Sequence, residues 1–294
     1  WNDATLYREA QEIAGLLPDL IAQDKMFDVM AGTAGCLMSL LSLYAVAPTP
    51  ELLALALQCG DRLVATASVQ DQGIGWCPIP NVPPLAGMAH GNAGIALALL
   101  RLAAISGEKR FVTTAQGALE YERLLYVPER GNWLDLRPDT IEDALRNNGG
   151  QQHKDAHFMV GWCNGAPGIA LARIGSLQVW PNAQMRTELE AALHTTIAHG
   201  FGMNHSLCHG DMGHLDILLS AVQFGADTAY KEAVQHLAPM LLESIETQGW
   251  ITGVPQGVET PGLMVGITGI GYALLRLASP TQVPSVLLLS EPIK

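Results

Sequence analysis

The sequence predicts an all-α protein in which helical hairpins form two concentric layers, an α/α toroid or barrel. First, a Gly-x-x-Gly motif recurs along the chain, and a long apolar segment follows each copy. Second, these apolar segments alternate with segments that are apolar on one face only. Third, alternating runs of β-branched residues are scarce, whereas Ala and Leu dominate. Fully apolar inner helices and one-faced outer helices together favour a closed, two-layered helical fold.

The glycine motifs mark the starts of the expected inner helices. The intervals between them are 59, 74, 45 and 56 residues, which indicates one structural unit with variable insertions. Because glycine lets backbones approach closely at one end of a barrel, we expect the residues beside the motifs to converge on one rim. An open helical solenoid is the alternative fold. The motifs are GTAG at Gly32, GNAG at Gly91, GAPG at Gly165, GDMG at Gly210 and GITG at Gly266.

Two outer helices can be placed from sequence. One contains residues 185 to 197 and should end near Gly200. A second is predicted to begin at Thr49 and Pro50, an N-cap followed by proline in the first turn. The first helix has a stripe of apolar residues four apart, namely Met185, Leu189, Leu193 and Ile197.

Composition excludes several classes of function. The formal net charge is −12, and the 16 Lys and Arg residues form no cluster, which argues against nucleic-acid binding. The 49% hydrophobic content predicts a large core. The longest apolar stretch, residues 85 to 105, is interrupted by polar residues and glycines, so no transmembrane segment is expected. An odd number of cysteines, five, and the lack of a signal-peptide pattern lead us to expect reduced thiols in the cytoplasm.

Three potential metal ligands lie directly before glycine motifs. Cys163 precedes the third motif, and the adjacent pair Cys208 and His209 precedes the fourth. A closed ring would bring them together although 45 residues separate the two cysteines. Two thiolates and an imidazole form a zinc ligand set that leaves the fourth tetrahedral position open, as in catalytic sites. The neighbouring helix N-termini favour the thiolate form.

The other cysteines are expected to lie outside this site. Cys36 and Cys59 occur in apolar helical runs, where a free cysteine packs as a small hydrophobic residue. Cys77 lies in GWCPIP, which is similar to GWCNGAP at residue 161. No Gly-x-x-Gly follows Cys77, so we exclude it from the predicted site.

Two further residues are candidates for catalysis. His90 directly precedes the second motif, although it could also be a hydrogen-bonded histidine near a helix end. Asp28 lies four positions before the first motif and could instead cap the helix that starts there. The remaining histidines are predicted to be surface or local hydrogen-bonding groups: His153, His157, His194, His199, His205, His214 and His236.

Several motifs together resemble the lanthionine synthetase C-like cyclases, most closely the C-terminal cyclase domain of class II lanthipeptide synthetases. The resemblance extends from residue 27 to the C-terminus. It implies an α/α toroid of seven helical hairpins around a zinc ion, with ligands at Cys163, Cys208 and His209 and active-site residues at His90 and Asp28. The motifs are FDVMAGTAG, AHGNAG, GWCNGAPG, LCHGDMG, GLMVGITGIGYALLRL and PSVLLL.

The sequence departs from this pattern in two ways. Five of the seven glycine motifs are visible and only 27 residues precede Asp28, so we expect residues 1–294 to be a single cyclase-like domain truncated at its N-terminus. The dehydratase of class II synthetases is absent too. In addition, Asn164 follows Cys163 where relatives often have an aromatic residue or histidine, so Asn164 is given no role.

The resemblance implies an enzyme of lanthipeptide, and hence antibiotic, biosynthesis. Such an enzyme adds cysteine thiols of a dehydrated ribosomal precursor peptide to dehydroalanine or dehydrobutyrine, which forms thioether rings. The expected cofactor is Zn²⁺, and the expected partners are the precursor peptide and an upstream dehydratase domain.

Three alternatives stay open at this point. The chain could bind a thiol such as glutathione, or a peptide, without forming rings. It could be a zinc prenyltransferase, although that activity requires a basic diphosphate pocket. It could also hold a closed structural zinc site, with His214 or Cys77 as the fourth ligand.

Overall fold

The computed structural model describes residues 3–78, 82–137 and 158–290. These ranges contain eleven α-helices and four strands of two residues each, which confirms the all-α prediction. The helices are α1 (Ala4–Ala14), α2 (Pro18–Gln23), α3 (Thr33–Val46), α4 (Pro50–Thr66), α5 (Asn92–Ser106), α6 (Lys109–Leu124), α7 (Ala166–Val179), α8 (Ala183–His199), α9 (Asp211–Phe224), α10 (Thr228–Gln248) and α11 (Ile267–Ala278). The strands are β1 (Ser68–Val69), β2 (Ile74–Gly75), β3 (Tyr126–Val127) and β4 (Asn132–Trp133).

The helices form the two predicted layers. Helices α3, α5, α7, α9 and α11 follow the five glycine motifs and pack against one another in that order. Helices α4, α6, α8 and α10 each pack on the inner helix that precedes them. The strands form two short antiparallel pairs, β1 with β2 and β3 with β4. Within the described ranges, no helix is long and apolar enough to cross a membrane.

The burial of the inner helices follows the prediction in the middle of the chain. Most residues of α5, α7 and α9 are buried, whereas about half of α3 and a third of α11 are. Helix α4 begins as predicted, because the Thr49 side chain accepts a hydrogen bond from Leu52 N (3.2 Å) and Pro50 is the first helical residue. Helix α8 ends at His199 before Gly200, also as predicted. In its apolar stripe Met185, Leu189 and Leu193 are buried and Ile197 is half-buried.

The second glycine of every motif lies where a side chain cannot fit. A Cβ atom there would overlap the carbonyl oxygen of the residue six positions earlier, because the preceding loop folds back against the first turn of the helix. This contact recurs in all five repeats and explains the motif by close backbone approach. The glycines and their opposing carbonyls are Gly35 with Val29, Gly94 with Met88, Gly168 with Trp162, Gly213 with Leu207 and Gly269 with Leu263.

Backbone hydrogen bonds join the five loops into a ladder along one rim of the toroid. The residue two positions before each motif takes part: Met30, Ala89, Cys163, Cys208 and Met264. The bonds run from Met30 N to Ala89 O (3.1 Å), from Ala89 N to Cys163 O (3.2 Å), from Trp162 N to Cys208 O (2.8 Å) and from Cys208 N to Met264 O (2.8 Å). The predicted convergence of the motif-flanking residues is therefore confirmed.

A buried ion cluster holds the layers together beneath this rim. Arg173 on α7 is fully buried and bonds to Glu122 on α6 (2.6 Å) and to Glu188 on α8 (2.7 Å). The second oxygen of Glu122 accepts a hydrogen bond from Gly87 N (3.2 Å), in the loop that leads to His90. Because each buried charge has partners of opposite sign, the cluster fixes the rim loop relative to three helices.

The C-terminal segment packs against the inner helices. Leu287 and Leu288 are buried there. The carbonyl of Leu287 accepts a hydrogen bond from the Trp162 indole (3.0 Å), and that of Leu288 accepts one from Arg101 (3.0 Å). Ser42 bonds to the carbonyl of Leu289 (2.8 Å). Since Ser42 and Arg101 lie in the C-terminal halves of their helices, this segment approaches from the end opposite to the glycine motifs.

Substituting the second glycine of a motif should destabilise the fold. We expect Gly94→Ala to cost about 1–3 kcal/mol, as for overpacking of a tightly packed site. Gly271→Ala in α11 is the matched control, because no atom lies within 4 Å of its Cβ position. Alanine favours helix by up to about 1 kcal/mol over glycine, so the control should be neutral or stabilising. Urea unfolding of both variants measures the difference, and equal stability would contradict the close-approach interpretation.

Candidate active site

Cys163 and Cys208 lie side by side at the rim. The neighbouring Cys208 thiol lowers the pKa of Cys163 to about 7; burial opposes this shift, and the nearby charges of Arg137 and His90 act in its direction. The pKa of Cys208 is raised by the neighbouring Cys163 and by burial. Of these two thiols from adjacent repeats, Cys163 therefore has the lower pKa.

His209 directly follows Cys208, and its side chain lies near two glycines of the neighbouring loops. A Cβ at Gly161, close to Cys163 in sequence, would lie 3.1 Å from His209 Cβ. The Nε2 atom points toward Gly253, where a Cβ would be 3.0 Å away. Among the residues of known position, no three His, Cys, Asp or Glu side chains are arranged to hold a metal ion. The ligand set predicted from sequence therefore stays a prediction.

The donor chemistry nevertheless suits a soft divalent cation. A metal ion bound by Cys163 and Cys208 would displace their thiol protons, since thiolates are the form that binds zinc.

His90 and Asp28 form a direct pair. His90 Nδ1 lies 2.8 Å from Asp28 Oδ2, and the aspartate side chain is only 3% exposed whereas that of the histidine is 37% exposed. This bond raises the pKa of His90; burial opposes the rise, and the negative charge of Cys163 adds to it. The imidazole is therefore favoured in its protonated form, next to the thiol pair.

Asp28 also makes a backbone hydrogen bond of the kind expected for a helix-capping residue. Its Oδ1 accepts a hydrogen bond from Ala31 N (2.7 Å), in the turn before α3. The residue that bonds to the first turn of α3 is instead Asp24, whose carboxylate accepts from Thr33 N (2.8 Å). Asp28 thus stabilises the loop and orients His90 at the same time.

Arg137 is a charged residue of this site that sequence reasoning missed. Its Nε and Nη2 atoms bond to the buried carboxylate of Asp135 at 2.9 and 2.6 Å. Nη2 also lies 3.0 Å from Met159 Sδ. Arg137 follows β4, far from any glycine motif, so the sequence carries no signal that places it at the rim.

The residues excluded from the site lie elsewhere. Cys77 is exposed, and Cys59 is buried with its sulfur 3.8 Å from that of Cys36. His205 and His214 are buried, so neither is a surface group; both are hydrogen-bonded, but to residues distant in sequence. His205 bonds to Ser244 Oγ (3.0 Å), and His214 Nδ1 bonds to Gly200 O. His153 and His157 lie outside the described residues.

The fold and this rim define a class, the α/α toroids that place functional side chains on loops before inner helices. Within this class the chain belongs to the lanthionine synthetase C-like proteins, because the model of that family matches residues 2–288. A curated relative, the lacticin 481/lactococcin biosynthesis protein LcnDR2 of Lactococcus lactis subsp. lactis, is 26% identical over 205 residues. That match covers 65% of this chain and 20% of the relative, so the chain spans about one fifth of the relative's length.

Solved structures support the fold. Nisin cyclase matches with a TM-score of 0.62 and 17% identity, covering 90% of this chain and 67% of the other. A sugar epimerase from a ruminal bacterium matches with a TM-score of 0.56 and 11% identity, covering 85% of this chain and 69% of the other. At these identities the two matches show a shared α/α toroid, and the chemistry must come from the site.

Removing the Asp28 carboxylate should lower the pKa of His90. In Asp28→Asn the imidazolium loses its hydrogen-bonded anion while burial still disfavours its charge. The native pair adds stability that is fully present below the pKa of an unfolded histidine, about 6.5, and is lost as pH rises through the higher folded pKa. The destabilisation caused by Asp28→Asn should therefore be larger at pH 6 than at pH 9.

Histidine NMR titration measures this effect directly. Asp19→Asn, at an exposed position of α2, is the control that removes a carboxylate for which no contact with His90 is present. An unchanged pKa of His90 in Asp28→Asn would show that the pair does not exist in solution.

Proposed function

We propose that this chain is a zinc-dependent lanthipeptide cyclase domain. It adds cysteine thiols of a dehydrated precursor peptide to dehydroalanine or dehydrobutyrine and forms lanthionine or methyllanthionine rings. The observation that carries the proposal is the meeting of two thiols, Cys163 and Cys208, with a hydrogen-bonded imidazole–carboxylate pair, His90 and Asp28, at one rim. Membership of the lanthionine synthetase C-like family supports the same activity.

The metal site is proposed at Cys163, Cys208 and His209. Zinc bound there would deprotonate a substrate thiol, whose ordinary pKa of about 8.5 leaves it mostly protonated at neutral pH. Three protein ligands leave one position open for that thiol. The backbone bond from Trp162 N to Cys208 O (2.8 Å) holds the two cysteine-bearing loops side by side, which supports a shared site.

His90 is proposed as the acid that completes the addition. Attack of a thiolate on the β-carbon moves an electron pair onto the adjacent carbonyl, and the reaction ends when the α-carbon takes up a proton. The Asp28 bond raises the pKa of His90, which favours its protonated form, and orients the ring with Nε2 directed away from the carboxylate. The ring therefore offers the proton that the α-carbon needs, and the Asp28 carboxylate compensates the charge in the buried loop.

A protein that binds thiols without ring formation would need the metal ligands alone. The buried His90–Asp28 pair is the observation that favours catalysis over binding, because simple thiol capture requires no proton donor. A cytoplasmic location and an upstream dehydratase domain are parts of the same proposal. The relative's much greater length is compatible with further domains in proteins of this type.

The roles of metal and acid can be separated by mutation. His90→Asn should keep full zinc content but slow cyclisation by about 10²–10⁴-fold, the usual effect of losing a general acid. Cys163→Ala should lose both zinc and activity, because the substrate thiol then stays protonated. Ring formation is measured as resistance of a dehydrated peptide to thiol alkylation, since cyclisation changes no mass.

Controls are available on the same chain. His236→Asn on α10 and Cys77→Ala alter exposed residues of the same types and should behave as the parent. A folded, zinc-replete His90→Asn protein that cyclises at the parent rate would contradict the acid role. Full zinc content in Cys163→Ala would contradict the ligand assignment.

A further inference from the structure

Arg137 is held rigidly beside the thiol pair. Its guanidinium makes a two-point contact with the carboxylate of Asp135, and its own backbone N also bonds to that carboxylate (3.1 Å). The Asp135 side chain is 2% exposed, whereas that of Arg137 is 34% exposed. A buried anion thus fixes the orientation of a cation that still reaches the open part of the site.

The position of the guanidinium relative to the sulfurs follows from Met159. Arg137 Nη2 lies 3.0 Å from Met159 Sδ, and Met159 Sδ lies 3.9 Å from Cys163 Sγ. The positive charge of Arg137 acts on Cys163, on Cys208 and on His90. The Arg137 guanidinium is therefore one side chain, that of Met159, away from the Cys163 sulfur.

We propose that Arg137 is a catalytic residue that binds the carbonyl oxygen of the dehydroamino acid and stabilises the enolate. This inference rests on the proposed cyclase function. The sulfur electron pair forms the S–Cβ bond, the Cα=Cβ electron pair forms the Cα=C bond of the enolate, and the carbonyl π pair moves to oxygen. Protonation at Cα by His90 then restores the carbonyl, and the thiol proton leaves to solvent.

A guanidinium is well suited to stabilise the negative charge on the enolate oxygen. It stays protonated at all working pH values, so it stabilises an oxyanion without competing with His90 as the acid. It carries five N–H donors, and Asp135 is bonded through Nε and Nη2, which leaves the Nη1 edge outside that contact. Because Asp135 orients the group before substrate arrives, little reorganisation is needed when the oxyanion forms.

The test compares Arg137→Gln with the parent in the full natural polypeptide. Loss of one oxyanion donor typically costs about 10²–10³-fold in kcat, so this fall is expected while zinc content and peptide binding stay unchanged. The change should appear in kcat, with KM within about threefold, because the guanidinium binds the enolate oxygen of the transition state much more strongly than the substrate carbonyl. Arg137→Lys keeps the positive charge but lacks the planar guanidinium, so its kcat should lie between those of Arg137→Gln and the parent.

Chemical rescue separates catalysis from a structural role. Guanidinium ion added at millimolar concentration should restore part of the kcat of Arg137→Ala, which a merely structural arginine would not allow. Arg110→Gln, an arginine of α6 paired with Glu108 and Asp61 at the surface, is the matched control and should show parent kinetics with no response to guanidinium.

The outcomes distinguish the proposed role of Arg137 from the proposed cyclase function. A folded, zinc-replete Arg137→Gln protein with parent kcat overturns the role of Arg137 while the cyclase function stands. Loss of zinc or of peptide binding in Arg137→Gln and Arg137→Lys, with no rescue of the alanine variant, also overturns it and makes Arg137 structural. Failure of the parent to cyclise any dehydrated peptide would overturn both proposals.

Discussion

The site depends on one constraint, the close approach of each rim loop to the inner helix that follows it. At the second glycine of every motif the helix backbone lies against a carbonyl of the loop, with no room for a side chain. That contact brings the residue two positions before each motif into the ladder of backbone bonds. Each such bond contributes only about 0.5–1.5 kcal/mol, but together they fix the relative positions of loops that are distant in sequence. Cys163 and Cys208 meet because they occupy equivalent positions in adjacent repeats.

The charged groups beside the two thiols determine which chemistry the rim can perform. Two buried carboxylates, Asp28 and Asp135, each hold one cation beside the thiols, His90 and Arg137. Only one of these cations can release a proton near neutral pH, since the guanidinium of an arginine stays charged. The Glu122–Arg173 ion pair also holds the rim in position, because Glu122 accepts a hydrogen bond from the loop that carries His90. The rim therefore combines a proton donor, a permanent positive charge and two adjacent thiols.

Much of the fold and of the candidate site could be predicted from the sequence, because the repeated motifs indicate both. The glycine motifs with their apolar helices indicated the layers, and the residues before them indicated Cys163, Cys208 and His90. Three features could not be predicted. Arg137 reaches the rim through a β4 segment that has no repeat pattern, and only the fold brings it to Cys163. The burial of His205 and His214 depends on neighbouring loops, since both side chains bond to backbone groups distant in sequence. The rotamer of His209 is not determined by the spacing of the motifs.

The account depends most directly on the metal proposed between the two rim cysteines. Zinc K-edge X-ray absorption of the purified full-length protein measures the number and type of ligands without requiring a substrate. We expect one zinc per chain with two sulfur neighbours at about 2.3 Å and nitrogen or oxygen neighbours at about 2.0–2.1 Å. In Cys208→Ala the bound zinc should be largely lost. A site with only nitrogen and oxygen ligands, or a Cys208→Ala protein that keeps its zinc, would contradict the central claim.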